Sequence, residues 1–330
     1  MYFLKRLFRI DVKRMFTTIR KIAKRSHKPF LFIFFDVINC AFRYGAGYMD
    51  YFVFNFEELN AKQRETYITR TVNNNYFLKM NDRSYYHVFN DKVEFLDTYH
   101  DYIKRDYLDL RRSGYEEFEA FAKKHPVFMG KPVDGQCGYG IEVVDSTDKE
   151  LKDVYDELLR KGQVLCEERI QQNEELNRLY PCSINTIRVV TCNKNGNVHI
   201  LFTALRIGNN GKHVDNFNNG GMFSVIDEDG VIRKPAIDKE GTEYTVHPYT
   251  GTDIIGFRIP MFKEIVAECK EVAKITPQVG LTGWDMCVTT TGIDIVEGNQ
   301  LPGYDIYQSR CHLDEDRMGL KPRFDAIIND

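Results

Sequence analysis

Eight cysteines occur in the 330-residue sequence, yet none forms a C-x-x-C pair and none stands in a cysteine–histidine cluster. That absence excludes the usual zinc modules and argues against a disulfide framework, which leaves a reducing, cytoplasmic setting as the expectation. The apolar run over residues 30–35 stops at Asp36, well short of the roughly eighteen residues a spanning helix needs. The N-terminus has no small-residue cleavage site after an apolar block, so no signal peptide is expected. Lys and Arg number 45 against 48 Asp and Glu; this near balance gives no whole-chain attraction to nucleic acid, and no such partner is expected. No Gly-Lys-Ser/Thr phosphate loop is present, and no G-x-G-x-x-G opens a helix. There is no convincing nucleophile–base triad, no internal repeat and no low-complexity linker. What remains is a 43% apolar chain, able to bury cores for two or three lobes.

Residues 1–28 depart from the average. Ten basic side chains stand there against one acid, Asp11, with Phe3, Leu7, Phe8, Val12, Met15, Phe16, Ile19 and Ile22 between them at helical spacing. Such a helix can lie in the headgroup layer of an anionic membrane, or pack on its own protein with a solvated basic face. Residues 29–112 are aromatic and charged with few glycines and predict a mostly helical leading lobe, including a helix over 56–72. Glycines then become frequent. A helix at 115–124, strands at 127–131 and 141–144, a helix at 148–161 and a strand at 163–168 predict a first α+β lobe over about 113–175. Strands near 183–191, 199–207 and 222–226, a helix at 260–275 and a final strand pair predict a second, over 176–330.

Three groups of residues carry candidate chemistry. Lys131 ends a strand and is followed by Gly135, Gly138 and Gly140, a loop whose N–H groups could converge on phosphate oxygens; a ligandless hairpin turn would read the same way. The strands 284–288 and 293–299 flank a polar turn. If Val288 pairs with Asp294, Asp285 lies across from Glu297, and Asn299 shares that face. Two carboxylates and an amide oxygen suit Mg²⁺, although solvated acids on an exposed hairpin would show the same pattern, and a slip of one residue would separate them. Arg188 and Arg206 face one another on neighbouring strands if the turn centres near Gly196 or Asn197, offering bidentate forks to phosphate or carboxylate, or else edge salt bridges. His213 and Asp215 lie on a polar loop that ends in Gly220 and Gly221, while His247 precedes a proline and reads as a loop residue with a minor claim on substrate.

In order, Lys131 with its glycines, Glu167-Glu168, Asn185 to Arg188, Arg206 to Gly208, Asp215-Asn216, Trp284-Asp285 and Glu297-Gly298-Asn299 resemble the sugar-transfer-associated ATP-grasp family, related to α-L-glutamate ligases. The resemblance runs over about 115–305. It implies an α+β ATP-grasp fold, two α+β lobes clasping ATP, preceded by the mostly helical N-terminal region. Lys131 would hold the α/β phosphates under the glycine loop. Glu167 and Glu168 would sit at the hinge, where such proteins hold adenine by backbone groups and ribose by a carboxylate. Arg188 and Arg206 would steady phosphates or an acyl-phosphate, and Asp285, Glu297 and Asn299 would ligate Mg²⁺, with Glu297 the most damaging single loss. An earlier nucleotide-binding lysine is also usual, for which Lys92 and Lys79 are the candidates.

The resemblance therefore implies a carboxylate–amine ligase working through an acyl-phosphate. An amino acid or amine would be joined to an acidic sugar, free or lipid-linked, in surface-polysaccharide synthesis. An ATP-grasp kinase, a thioester-forming ligase and a membrane-surface scaffold without turnover are the alternatives.

Overall fold

In the computed structural model, which describes residues 11–134, 140–211, 215, 217 and 220–329, the Asp11 carboxylate accepts from Arg14 N at 2.8 Å and starts helix α1 (Val12–Ser26). His27 in the left-handed region ends it, and Pro29 opens α2 (Phe30–Tyr44). Ile19 and Ile22 of α1 and Ile33, Val37 and Cys40 of α2 join one core. Ile19 and Ile22 of the α1 stripe are thus buried in its own unit, while Val12 at its start is exposed. The helix expected over 56–72 is broken: Phe56–Glu58 is a 3₁₀ turn, Asn60 caps α4 (Ala61–Arg64) after the short α3 (Tyr48–Val53), and α5 (Arg70–Met80) starts afresh. Asn55 at positive φ and Asn60 with a capping box to Gln63 offer the backbone better partners than a continued helix.

Two compact units result, Met1–Met80 with Gly303–Asp330, and Asn81–Pro302. These bounds do not coincide with the expected divisions at 28 and 112. Residues after 303 fold back on the N-terminal helices: Ile68 N donates to Gln308 at 2.8 Å, and the Tyr76 hydroxyl donates to Asp325 of a C-terminal helix (Lys321–Ile328) at 2.8 Å. Within the first unit, Asp36 takes a fork from Arg64 at 2.9 and 2.8 Å and a bond from Tyr51 at 2.7 Å. This bidentate pairing satisfies a carboxylate set among aromatic rings.

The second unit begins with the short α6 (His87–Asn90) and α7 (Lys92–Thr98), then two antiparallel sheets. The first has the order β1-β4-β2-β3, from β1 (Tyr107–Asp109), β2 (Val127–Lys131), β3 (Glu142–Asp145) and β4 (Leu165–Glu168). Residues 107–109 therefore belong to the first α+β lobe and not to the helical region. Helices α8 (Tyr115–Lys124) and α9 (Leu151–Lys161) cover it through Phe118, Ala122, Val154 and Leu158 against Phe128 and Cys166.

The second sheet has the order β11-β10-β5-β6-β7-β8-β9. Its long strands are β5 (Ile187–Lys194), β6 (Asn197–Ile207), β10 (Leu281–Val288) and β11 (Ile293–Asn299); β7 (Met222–Val225), β8 (Ala236–Asp238) and β9 (Glu243–Tyr244) extend it. After the short α10 (Glu174–Leu179), α11 (Phe262–Val272) lays Ile265, Cys269 and Val272 into the same core as Trp284 and the α7 residues Val93, Phe95 and Leu96. The indole of Trp284, 1% exposed, donates to Thr191 at 2.9 Å, so the large ring is buried with its one polar atom satisfied. Burial also pushes the Cys40 and Cys166 thiols up to about 12, as befits structural thiols.

Candidate functional site

One row of residues crosses the second sheet. Glu297 pairs with Asp285, Asp285 with Arg188, and Arg188 with Ala204. Partners in register project on one face, and Asn299 and Arg206, each two residues along its strand, share it. The expected pairing of Asp285 with Glu297 is present, but by a different route. At the turn, Val288 pairs with Ile293 and Cys287 with Asp294, so Val288 does not meet Asp294; a bulge between Asp285 and Met286 then shifts the register by one and brings Glu297 opposite Asp285. The β5–β6 turn centres on Asn195 and Gly196, both at positive φ, which alone would set Arg188 opposite Thr203; a register shift between Val190 and Thr191 moves it to Ala204, so Arg188 does not face Arg206. The two arginines are diagonal neighbours.

Both arginines converge on Asp285. Arg188 donates through Nε to Oδ1 at 2.5 Å and through Nη2 to Oδ2 at 2.9 Å, and Arg206 donates to Oδ2 at 2.6 Å. Arg206 also pairs with Asp215 at 3.2 Å, and Asp215 is anchored by Thr186 N at 3.0 Å. Arg188 lies over Gly283, where an added Cβ would sit 3.3 Å from its Cδ. Burial works against the Asp285 charge, but the two guanidinium groups outweigh it and hold the carboxyl down at about 2. Glu297 moves the other way. Loss of water in the cleft is the first cause, the Asp285 charge the second, and the arginines only partly offset them. The residue is nevertheless exposed to solvent, and Asn299 Nδ2 donates to it at 3.3 Å. Two carboxylates, one held ionised and one pushed up, thus stand side by side with an amide oxygen. That all-oxygen donor set is what a hard divalent cation fills.

Lys131 reaches this region from the first lobe. Met129 pairs with Glu167, so Lys131, two residues along β2, shares the Glu167 face and places its ammonium 2.8 Å from Oε1. The other oxygen of Glu167 takes Arg105 Nε at 2.5 Å, and Arg105 continues to Asp294 at 3.0 Å and to the Ile295 and Val296 carbonyls at 2.7 and 3.3 Å. A chain Lys131–Glu167–Arg105–Asp294 therefore links β4 to β11, the strand of Glu297. Burial disfavours the Glu167 charge, but Arg105 and Lys131 bring its carboxyl down to about 2. With both oxygens taken and 2% exposure, Glu167 orients Lys131 and is not placed to meet a ribose. Arg105 went unnoticed in the sequence because it stands alone between β1 and a 3₁₀ turn, in no motif and no periodic stripe.

The two candidates for the earlier lysine separate. Lys92 opens α7, its N–H donating to Val133 O at 3.0 Å. Its ammonium is lowered first by burial and then by Lys131, and feels Glu297, Glu167 and Asp134. Lys79 donates instead to Asn329 at 2.9 Å, within the other unit. Gly135 and Gly138 of the glycine loop, with His213 and Asn216, lie outside the described residues. Gly140, at φ 74°, has its carbonyl held by Gln163 at 3.0 Å.

Glu168 turns away from Glu167, accepts from Asp106 N at 3.0 Å and stands near Asp106 and His125. There Asp106 already takes His125 at 2.7 Å and the Lys124 ammonium, so its charge is met by protein. An open concavity of about 450 Å³ lies beside this group, lined by Arg105, Asp106, Tyr107, Ala120, Phe121 and Lys124; it contains none of the row across the second sheet. His247 is buried, donates through Nε2 to Gly208 O at 2.9 Å, and accepts Tyr249 N at Nδ1 at 3.1 Å. Burial lowers it further. It is a neutral loop fastener, not a substrate contact.

Solved structures resemble this chain at low identity. ATP-grasp ligase PsnB, complexed with a minimal precursor, aligns over 76% of this chain and 63% of its own, at 14% identity and TM-score 0.45. D-alanyl-alanine synthetase A of Vibrio cholerae aligns over 66% and 56%, at 15% identity and TM-score 0.41. The D-alanine-D-alanine ligase of Coxiella burnetii aligns over 73% and 57%, at 12% identity and TM-score 0.42. The chain thus spans less than two thirds of each, and similarity at this level says nothing of what it acts on. No curated protein sequence matches. The sugar-transfer associated ATP-grasp profile, by contrast, matches residues 71–312, from α5 through both sheets and well over half the sequence: the chain belongs to that family.

Proposed function

We propose that the chain is an ATP-dependent carboxylate–amine ligase. The observation that carries the reading is the row Glu297–Asp285–Arg188 with Arg206 beside it, to which Lys131 and Lys92 add charge from neighbouring elements. A carboxylate and an amine at neutral pH form a salt, so the acid must first be activated. A substrate carboxylate oxygen attacks the γ-phosphorus of ATP, the bridging P–O bond to the β-phosphate breaks, and ADP leaves. The amine nitrogen then attacks the acyl carbon, the acyl C–O bond to the phosphate oxygen breaks, inorganic phosphate departs with that oxygen, and the amine proton passes to solvent. No side-chain nucleophile is required.

The chain's own part is positioning and charge. Lys131, oriented by Glu167, and Lys92 hold the phosphates, while Arg188 and Arg206 meet charge on the transferring phosphoryl or the acyl-phosphate. Mg²⁺ would be held by Glu297, Asn299 and Asp285, whose Oδ1 keeps one lone pair beside its Arg188 bond; when bound it supplies positive charge to the β- and γ-phosphate oxygens. Glycines 135, 138 and 140 are given to the phosphate loop, and Glu168 to the nucleotide end of the hinge. The family's association with sugar transfer supports an acidic sugar as the acid and an amino acid or amine as the nucleophile, in surface-polysaccharide synthesis. A cytoplasmic site of action, with residues 1–28 touching an anionic membrane, completes the proposal.

MgATP should raise the melting temperature of the purified chain, and Glu297→Ala should abolish both that rise and ADP release while the fold persists. Near-normal ADP release by the variant would refute the assignment.

A further inference from the structure

Helix α2 is apolar on both sides. Ile33, Val37, Cys40 and Tyr44 are buried in the first unit's core. On the opposite face Leu31 is 65% exposed, Phe35 63% and Ile38 38%, at spacings of four and three that make one continuous stripe; Phe32, 54% exposed, flanks it, and the stripe continues to Phe42. A helix apolar all round is ordinarily sunk in a large core or in lipid. No described helix is long and apolar enough to cross a membrane, and α2 has only 15 residues. Either a membrane interface or another protein must remove that face from water.

The surroundings of the stripe identify the occupant. From residue 11 to residue 44 eight basic side chains stand against two acids, although the whole chain has a net charge of −3. One of the acids, Asp36, is neutralised by Arg64, and the other, Asp11, caps α1. Lys13, Arg14, Arg20, Lys21 and Lys24 of α1 are exposed. Lys28, in the α1–α2 connection, lies over the Phe32 ring at 5.6 Å and donates to the Glu57 carbonyl, and Arg43, exposed on α2, pairs with Glu65 at 3.2 Å. Apolar rings bordered by cations match the acyl boundary and phosphate layer of an anionic membrane. A second copy of this chain would bring the same cations against themselves.

We infer that the exposed face of α2 inserts into an anionic membrane surface, with the cations of α1 and the connection on the headgroups. This deepens the membrane reading above and relocates its apolar element: Met15, Phe16, Ile19 and Ile22 of α1 face the protein, Phe16 stacking on Phe30 and Phe34 at 6.0 and 5.8 Å, so α1 contributes charge and α2 contributes insertion.

The test is flotation of the full chain with phosphatidylcholine vesicles, with and without phosphatidylglycerol. Wild type should float only with the anionic vesicles. Leu31→Gln/Phe35→Gln/Ile38→Gln, all at exposed positions, should lower partitioning at least about tenfold while keeping the melting temperature and the MgATP-induced rise. Lys21→Glu/Lys24→Glu should also release the chain. If the charge-reversal variant is released while the triple-glutamine variant floats like wild type, the membrane reading stands and the α2 assignment is overturned. If wild type binds neither vesicle, both are overturned. A wild-type dimer that the triple variant dissociates, without lipid binding, would assign the face to a second copy and overturn the proposal.

Discussion

Arg105→Met offers a direct measurement of the buried chain that joins β4 to β11, the strand of Glu297. The substitution keeps most of the side-chain volume but removes the donors to Glu167, Asp294 and the Ile295 carbonyl. Both carboxylates have side chains no more than 3% exposed, so neither can recover water. Breaking a buried pair from one side costs about 3–5 kcal/mol. The Glu167 carboxyl gives an independent scale: its displacement from 4.5 to about 2 corresponds to about 3 kcal/mol. Lys131 retains part of that stabilisation at Glu167, as Lys104 N and Ile295 N do at Asp294 Oδ1, while the loss of the donor to Asp294 Oδ2 adds to the cost. A total of about 3–5 kcal/mol is a large fraction of the roughly 5–15 kcal/mol that holds a domain together.

Trp284, the single tryptophan and 1% exposed in this unit, reports the unfolding of this unit through its fluorescence. Urea titration of wild type and variant should therefore read the difference without interference from the helical unit. Because the folded Glu167 carboxyl is depressed, its contribution is complete above pH 4.5 and vanishes as pH falls toward 2. The gap between the two proteins should narrow over that window and not at higher pH. A double-mutant cycle with Asp294→Asn should show coupling above about 1 kcal/mol. A loss below about 1 kcal/mol, the size of a solvated surface pair, would refute the claim that Arg105 is a buried bridge.

Two further outcomes test the geometry around the site. Gly298→Ala would place a Cβ 2.7 Å from the Phe95 ring and 3.0 Å from Phe89, and the same urea assay should show a loss of about 1–3 kcal/mol; unchanged stability would show that the β11–α7 contact is loose. Lys92→Met should raise the KM for ATP about tenfold to a hundredfold, the worth of a charge-assisted bond, while Lys79→Met leaves it alone; equal effects would dissociate Lys92 from the phosphates.

Much of this was legible in local pattern. The helix at 115–124 and the strand at 127–131 carry amphipathic spacing that no tertiary contact overrides, and they form at those bounds. The helix expected over 56–72 does not form because Asn60, inside it, caps a new helix with its side chain, and Asn55 just before it takes the left-handed conformation. Asp285 opposite Glu297 followed from alternation and from the turn, yet the turn pairing was off by one and a bulge restored the pair. A bulge has no signature in hydrophobic period, since it displaces a single residue.

The sequence by itself determined which residue types were at hand: a lysine ending a strand before glycines, arginines on alternating strands, and two acids and an amide on a hairpin. These are short-range properties, set by spacing along one or two elements. Only the tertiary structure decided which of them meet. It turned Glu167 inward to Lys131 and Arg105, set Lys92 near Lys131 and Lys79 against Asn329, set both arginines on Asp285, and buried Ile19 and Ile22 of α1 while leaving Leu31, Phe35 and Ile38 of α2 exposed. Those outcomes depend on partners outside the local window, 62 residues apart for Arg105 and Glu167 and 97 for Arg188 and Asp285, whose burial and charge fix the energy of each contact but leave no periodic trace in the chain.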